Sequence, residues 1–135
     1  MASLLPAVEV MLKTSETARR VIGIAIDLHR SLGPGLFEQV YRRCLYQAMT
    51  SDGFKVVTEM PIEVRYRDIV LECGYRADLV IHDELIVEVK SVEQLLPVHK
   101  AQLLTYLKFS GMREGLLMNF NEARLVDGIG SALNG

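Results

Sequence analysis

The stretch YRADLVIHDELIVEVKS, residues 75–91, decides the fold of this chain. The odd positions on either side of its polar centre are apolar, namely Ala77, Leu79, Ile81, Leu85, Val87 and Val89. Asp78, Glu88 and Lys90 stand at even positions. Alternation of this kind is typical of strands, because successive side chains point to opposite faces of a sheet. The stretch therefore predicts a β-hairpin with one apolar face and one charged face.

The predicted turn determines which residues face each other. If residues 82–84 form the turn, Asp78 lies directly opposite Glu88, with Lys90 one pleat further along. Two facing carboxylates repel each other unless a positive charge lies between them, and a divalent metal ion or a neighbouring ammonium group would supply that charge. The spacing alone leaves a second interpretation open, a solvated surface strand in which Asp78 pairs with Arg76 or Lys90.

Length and composition are those of one globular domain. The chain has 135 residues, half of them apolar and about a quarter charged, and it is long enough to bury a core. Its formal charge of −2 provides no overall basic field but leaves a local basic patch open. The longest apolar runs, such as residues 21–26, are too short to cross a membrane, so we expect no membrane partner. We expect residues 1–14 to form an arm or a short helix and residues 15–135 to form a single domain.

The two cysteines, Cys44 and Cys73, lie far apart and form no C-x-x-C motif or site with paired histidines. They are expected to be buried thiols rather than a disulfide or a zinc site. Unpaired thiols favour a reducing compartment, so the predicted location is the cytoplasm.

Helical spacing dominates the N-terminal part of the chain. Apolar residues recur every three or four positions over residues 21–32, and Thr14, Ser15 and Thr17 offer caps, which predicts a helix that ends at Gly33-Pro34-Gly35. A second helix is predicted to end near Ser51, with an apolar stripe of Phe37, Val40, Tyr41, Cys44, Leu45 and Ala48.

Strands follow the two helices. Residues 56–66 and 69–81 each read as a strand, with Pro61 marking an edge or a bulge, and the second strand runs into the hairpin. A helix from Pro97 to about Ser110 then leads to a buried strand at residues 116–120.

These elements predict one mixed four-stranded sheet. The first three strands can form an antiparallel meander, and the last strand, reached by a helical crossover, should lie parallel to the strand of Glu88. Helices pack on this sheet, so the predicted fold class is α/β or α+β. The tail, residues 121–135, is expected to add no more than one helical turn.

Other polar residues stand where these elements could bring them to the hairpin. Glu38 lies in the first turn of the second helix, where capping explains it better on pattern alone and a third acidic ligand is the alternative. His99, Gln102 and Tyr106 share one face of the third helix and could line a cleft. Tyr106 could equally be a core residue whose hydroxyl reaches solvent. His99 has no partner at metal-ligand spacing. Arg76 shares the charged face of the hairpin.

Six short motifs follow one another along the chain. They are Gly35-Leu36-Phe37-Glu38-Gln39-Val40-Tyr41, Gly74-Tyr75-Arg76-Ala77-Asp78, Glu88-Val89-Lys90, Leu96-Pro97-Val98-His99, Gln102-Leu103-Leu104-Thr105-Tyr106 and Asn119-Phe120-Asn121. In these motifs the chain resembles the GxxExxY proteins, a branch of the PD-(D/E)XK nuclease superfamily, over about residues 15–135. The resemblance implies a PD-(D/E)XK nuclease-like fold.

The resemblance implies roles for the candidate residues. Asp78, Glu88 and Glu38 would be ligands of Mg²⁺ or Mn²⁺, and Lys90 would be the catalytic lysine, so these four residues form the expected catalytic set. A Q-x-x-x-Y pair supports the site in exonuclease-like members of the superfamily. The residues expected to support the site here are Gln102, Tyr106, Tyr41, Arg76 and His99.

The expected function is metal-dependent hydrolysis of phosphodiester bonds in nucleic acid, DNA ahead of RNA. Lys90 would help to activate a water for in-line attack while the metal stabilises the charge that develops at phosphorus. A non-catalytic module that binds nucleic acid or a protein is the alternative, because the chain is acidic overall and shows no basic stripe. A dimerising structural subunit with solvated acids is a third interpretation, and a homodimer would also give a nuclease the surface to bind two strands.

Overall fold

The structure, a computed structural model, describes residues 4–5 and 14–134. Its helices are α1 (Glu16–Leu32), α2 (Glu38–Ser51) and α3 (Pro97–Ser110), with a 3-10 turn at Leu125–Gly128. Its strands are β1 (Leu4–Leu5), β2 (Val56–Pro61), β3 (Val64–Tyr66), β4 (Ile69–Leu71), β5 (Arg76–Ile81), β6 (Leu85–Lys90), β7 (Glu114–Asn119) and β8 (Ile129–Leu133). Of the predicted N-terminal arm or short helix, β1 and Thr14 are described, and its other positions lie outside the described residues.

Six strands of the described residues form one mixed sheet, in the order β1-β8-β7-β6-β5-β2. Hydrogen-bonded neighbours are antiparallel except β6 and β7, which are parallel and are joined by a crossover through α3. Helices α1 and α2 cover one face, and α3 covers the other. The predicted fold class, a mixed sheet with an antiparallel meander, one parallel strand and flanking helices, is confirmed.

The sheet extends beyond the four predicted strands. Residues 129–133, IGSAL, form β8, which pairs with β7 and β1. This segment is short and holds a glycine and a serine, so its own sequence hardly distinguishes it from a loop. Its strand conformation comes from pairing with β7, in which every residue is buried.

The two long strands predicted at residues 56–66 and 69–81 are wrong in detail. Each is interrupted, the second at Gly74, which has a left-handed φ of 80°. As a result β2 pairs directly with β5, while β3 and β4 form a separate two-stranded sheet. Pro61 ends β2 at the edge of the main sheet, in agreement with the prediction, since proline cannot donate to a ladder.

The hairpin of β5 and β6 is buried on both faces. Odd positions such as Leu79 and Val87 pack under α1 and α2. Even positions Val80 and Ile86 pack in the second core cluster, against α3. The prediction of a charged face is therefore wrong over most of the hairpin, because a strand covered by helices on both sides needs apolar residues on both. The charges are confined to the end remote from the turn.

The predicted apolar stripe of helix α2 is confirmed at Tyr41 and Leu45 and is wrong at Phe37 and Val40. Tyr41, Leu45 and Met49 are buried at intervals of four residues, whereas Phe37 is 85% exposed and Val40 is 39% exposed.

None of the helices in the described part of the chain is long and apolar enough to cross a bilayer.

The two cysteines are free thiols. Cys44 is half-buried on α2, and Cys73 is exposed in the loop before β5. The prediction of buried thiols is therefore wrong for Cys73, which lies between β4 and β5, where the sequence predicted one continuous strand.

Candidate active site

The turn of the hairpin sets the register of the acidic residues. Residues 82–84 form the turn as predicted, and the first two of them have left-handed φ values of 52° and 57°. Two left-handed residues in a tight turn match the twist of the strands that they join. The ladder begins with Ile81 opposite Leu85, and this register places Asp78 opposite Glu88.

At Asp78 the regular backbone hydrogen bonds between β5 and β6 end, and hydrogen bonds to carboxylates take their place. The Asp78 N–H donates to Glu88 Oε2 at 2.7 Å, and the Val89 N–H donates to Asp78 Oδ2 at 2.8 Å. The last regular pair before this point is Leu79 with Val87. Each acid therefore binds the backbone of the opposite strand, which fixes both side chains at the end of the hairpin.

The neighbouring strand β2 departs from regular geometry beside the same residue. The β2–β5 ladder is regular at Thr58 and Met60, but Glu59 between them, opposite Asp78, has a left-handed φ of 51°. A non-glycine residue in this region is uncommon, and such strain is concentrated at functional sites. The backbone is thus irregular on both sides of Asp78.

Burial perturbs both acids, and the charge of Asp78 acts on Glu88 as well. Glu88 is 3% exposed, and its pKa is raised to about 8, first by burial and then by the charge of Asp78. Burial raises the pKa of Asp78 as well, against the opposing charges of Arg42 and Lys90. The charge of Glu38 raises the pKa of both acids, so Glu38 lies close enough to act on the pair. A buried acid pair with raised pKa values is typical of a functional site.

Arg42, on α2, pairs with Asp78. Its Nη1 lies 3.5 Å from Asp78 Oδ1, and the two side chains are 25% and 16% exposed. The interpretation that paired Asp78 with Arg76 or Lys90 is wrong for Arg76, whose side chain is exposed and forms no ion pair with any residue of the range 14–134. The signal that could have found Arg42 is its position four residues after Glu38, which places both on one face of α2.

Helix α3 brings two polar side chains to the acids. Lys90 Nζ donates to Gln102 Oε1 at 3.3 Å, so Gln102 orients the ammonium group. Tyr106, one helical turn later, is 3% exposed, and its pKa is raised to about 12 by burial and by the charges of Glu88 and Asp78. Its hydroxyl therefore stays protonated and remains a donor beside the carboxylates.

The loop before α2 positions Glu38. Gly35 has a left-handed φ of 97°, a conformation that favours glycine. The Tyr41 hydroxyl donates to the Gly33 carbonyl and accepts from the Leu36 N–H at 3.2 Å. Tyr41 therefore holds the loop that leads into Glu38.

The chain after Lys90 is fastened at two points. The Ser91 hydroxyl donates to the Leu36 carbonyl at 2.6 Å, which ties the end of β6 to the loop before α2. Asn119 is fully buried and binds the N–H and the carbonyl of Val92 at 3.1 and 3.0 Å. Sequence reasoning missed Ser91, because a lone serine after a strand carries no signal.

His99 lies at the start of α3. Its ring Nδ1 accepts from the Leu96 N–H at 2.9 Å, and the backbone N–H of His99 donates to the Leu96 carbonyl at 3.0 Å. These bonds cap the helix that carries Gln102 and Tyr106. His99 therefore fixes the start of α3.

Comparison with family models places the sequence in a known superfamily. The model described as the PD-(D/E)XK nuclease superfamily matches residues 15–130. The chain belongs to this superfamily. Comparisons with curated proteins and with solved structures gave no significant match. As a PD-(D/E)XK domain, the protein has the fold of a nuclease.

Divalent metal ions are typical cofactors of PD-(D/E)XK nucleases, and the acids at the hairpin end fit the chemistry of such an ion. Carboxylate oxygens are the ligands that Mg²⁺ and Mn²⁺ prefer. Glu88 Oε2 is held by the Asp78 N–H, whereas Oε1 accepts no hydrogen bond from residues 14–134. In the described part of the chain, no three acidic, histidine or cysteine side chains are clustered closely enough to hold an ion. Glu38 must therefore approach the pair before it could become a third ligand.

Proposed function

We propose that the protein is a divalent-metal-dependent nuclease that hydrolyses phosphodiester bonds in nucleic acid, with DNA ahead of RNA. The observation that carries the proposal is the acid pair at the hairpin end, a buried Glu88 and a half-buried Asp78, with Lys90 beside it. Burial and then the charge of Asp78 raise the pKa of Glu88, so a further positive charge at the pair would stabilise the ionised carboxylate. A bound cation would supply that charge. It would also offset the negative charge of the phosphodiester during hydrolysis.

Each residue would have a distinct task. A bound Mg²⁺ or Mn²⁺ would polarise the scissile phosphate and favour ionisation of the attacking water. Asp78 and Glu88 would hold the ion, and Glu38 would complete the ligand set from α2. Lys90, oriented by Gln102, would position the water and offset the negative charge that develops on the phosphate.

A non-catalytic nucleic-acid-binding module is the second candidate, and Arg42 favours it. The guanidinium already offsets part of the charge of Asp78. Such a module would use the same surface to bind nucleic acid without cleaving it. Metal-dependent cleavage is the outcome that separates the two candidates.

The test is cleavage of labelled single- and double-stranded DNA and RNA in Mg²⁺ or Mn²⁺. The wild type should cleave at least one substrate and lose cleavage in EDTA, and Lys90→Ala should lower the rate by roughly a hundredfold or more. Lys100→Ala, which removes an exposed lysine from α3, is the matched control and should retain activity. Cleavage that persists in a double variant, Lys90→Ala with Asp78→Ala, would indicate a contaminant and contradict the proposal.

A further inference from the structure

A groove of about 530 Å³ lies on the outer side of α2, between this helix and β2. The helix side of the groove is formed by Gln39, Arg42, Arg43, Tyr46 and Gln47. All of these except Arg42 are exposed. The opposite side is formed by Thr58 and Glu59 of β2.

The five helix residues form one stripe along α2. They are spaced by three and four positions, so their side chains are neighbours on the helix surface. From residue 39 to residue 47 the stripe runs for about 12 Å, at about 1.5 Å per residue. One strand of a duplex rises about 3.4 Å per phosphate along its axis, so a stripe aligned with that axis spans about three phosphate-to-phosphate steps.

The groove is continuous with the candidate active site. Arg42 lines the groove and also lies 3.5 Å from Asp78. Glu59, on the other side of the groove, stands opposite Asp78 across the β2–β5 pair. A chain of phosphates lying in the groove would therefore lead directly to the acid pair.

The charges in the groove suit a polyanion. Arg42 is paired with Asp78, so Arg43, across the groove from Glu59, is the arginine available to a phosphate, although the whole chain has a net charge of −2. Arg43 is exposed and makes no ion pair with any residue of the range 14–134. Arginine and amide side chains bind phosphate oxygens without reading sequence. Tyr46 adds an aromatic ring that is 37% exposed, on which a base can stack.

We propose that this groove binds the sugar-phosphate backbone of the nucleic acid strand next to the scissile phosphate. The inference rests on the proposed nuclease function, because the groove is defined by its approach to the acid pair. Arg43 contacts a phosphate remote from the acids, and Arg42 contacts the phosphate nearest to them. The binding is independent of base sequence, since the groups that face the groove recognise phosphate.

Equilibrium binding of a fluorescein-labelled oligonucleotide, measured in EDTA so that no cleavage occurs, tests the groove. Arg43→Ala should weaken binding roughly three- to tenfold and reduce the slope of log K against log salt concentration by about 0.7 to 0.9, as expected for the loss of one phosphate contact. Arg19→Ala removes an exposed arginine from α1 and is the matched control. It should leave the affinity and the salt slope unchanged, and both variants should unfold at the wild-type temperature.

The outcomes separate the groove from the nuclease activity. Equal affinities and salt slopes in the wild type and both variants would overturn the proposal that the groove binds phosphate, whether or not the protein cleaves. A wild type that binds no oligonucleotide at low salt would overturn it as well. Binding that depends on Arg43 in a protein that cleaves nothing would support the groove and contradict the nuclease. Tighter Arg43-dependent binding of poly-glutamate than of the oligonucleotide would assign the groove to an acidic protein segment and overturn the proposal.

Discussion

The backbone N–H of Asp78 donates to the side chain of Glu88 across the central hairpin, at 2.7 Å. The Val89 N–H makes the converse bond to Asp78 at 2.8 Å. Two acids are thereby held close together in a buried place, where their repulsion lowers stability as long as no cation neutralises them. Stability, pH and metal binding should therefore be linked through this pair.

The metal-free protein should lose stability as the pH rises. The pKa of Glu88 is about 8 in the folded protein against 4.5 for an ordinary glutamate, so between these values the folded state binds the extra proton. The free energy of unfolding then falls as the pH rises through this range. Urea unfolding in EDTA should show a loss of about 1–3 kcal/mol between about pH 5.5 and about pH 8.5.

The matched control for this pH dependence is Glu88→Gln. The amide keeps the shape of the side chain and an acceptor for the Asp78 N–H, but it carries no charge. The variant should show a flatter pH profile and should be more stable than the wild type above about pH 7. Identical profiles for the two proteins would contradict the raised pKa of Glu88.

Tyr41→Phe should destabilise the protein by about 1–2 kcal/mol, because the loop before α2 loses two hydrogen bonds. The ring keeps its stacking on Phe120, with centroids 4.7 Å apart, so the core stays filled. Cleavage should fall even where the variant is fully folded, since this loop positions Glu38. Tyr66→Phe, at a ring that is 60% exposed, should change neither quantity. A stable Tyr41→Phe protein with wild-type cleavage would show that the loop does not position the acid.

Gly35→Ala and Gly23→Ala should change stability in opposite directions. An added methyl group meets no atom within 4 Å at either position, so neither change causes a clash. At Gly35 the φ of 97° strains alanine, and we expect a loss of about 1–2 kcal/mol. Gly23 lies inside α1, where alanine should add about 0.5–1 kcal/mol. Thermal unfolding measures both, and equal shifts of one sign would contradict the strained conformation at Gly35.

Gln102→Leu should lower the single-turnover rate of cleavage roughly tenfold, because Lys90 loses the acceptor that orients it. The affinity for Mn²⁺ should stay within about twofold, since the acids keep their backbone hydrogen bonds. Gln102→Glu restores an acceptor and should recover part of the rate. If both variants lost the same activity, or neither lost any, Gln102 would not be orienting Lys90.

The hairpin could be predicted from the sequence because its register is encoded locally. Alternating polarity marks the two strands, and a polar turn centred on Asp83 is enough to place Asp78 opposite Glu88. The burial of Val80 and Ile86 could not be predicted in the same way. It depends on α3 packing on that face, which is set by tertiary structure rather than by the period of the strand.

The partners of the acids depended on long-range geometry as well. The strand pattern offers Arg76 or Lys90 as the partner of Asp78, but the arginine that pairs with it is Arg42, because α2 lies beside the hairpin end. Ser91 reaches the loop before α2 through the same packing. Strand β8 was missed for a related reason, since only pairing with β7 makes its residues a strand.

The hairpin site is tested most directly by calorimetric titration of Mn²⁺ into the wild type and Asp78→Asn, each with a non-cleavable phosphorothioate oligonucleotide. The oligonucleotide is included because substrate phosphate oxygens can complete the coordination of the ion. We expect the wild type to bind Mn²⁺ and Asp78→Asn to lose at least about tenfold in affinity, since the amide keeps the shape but not the charge of a ligand. Equal binding by the two proteins, or binding by neither, would contradict the assignment of Asp78 and Glu88 as the metal site.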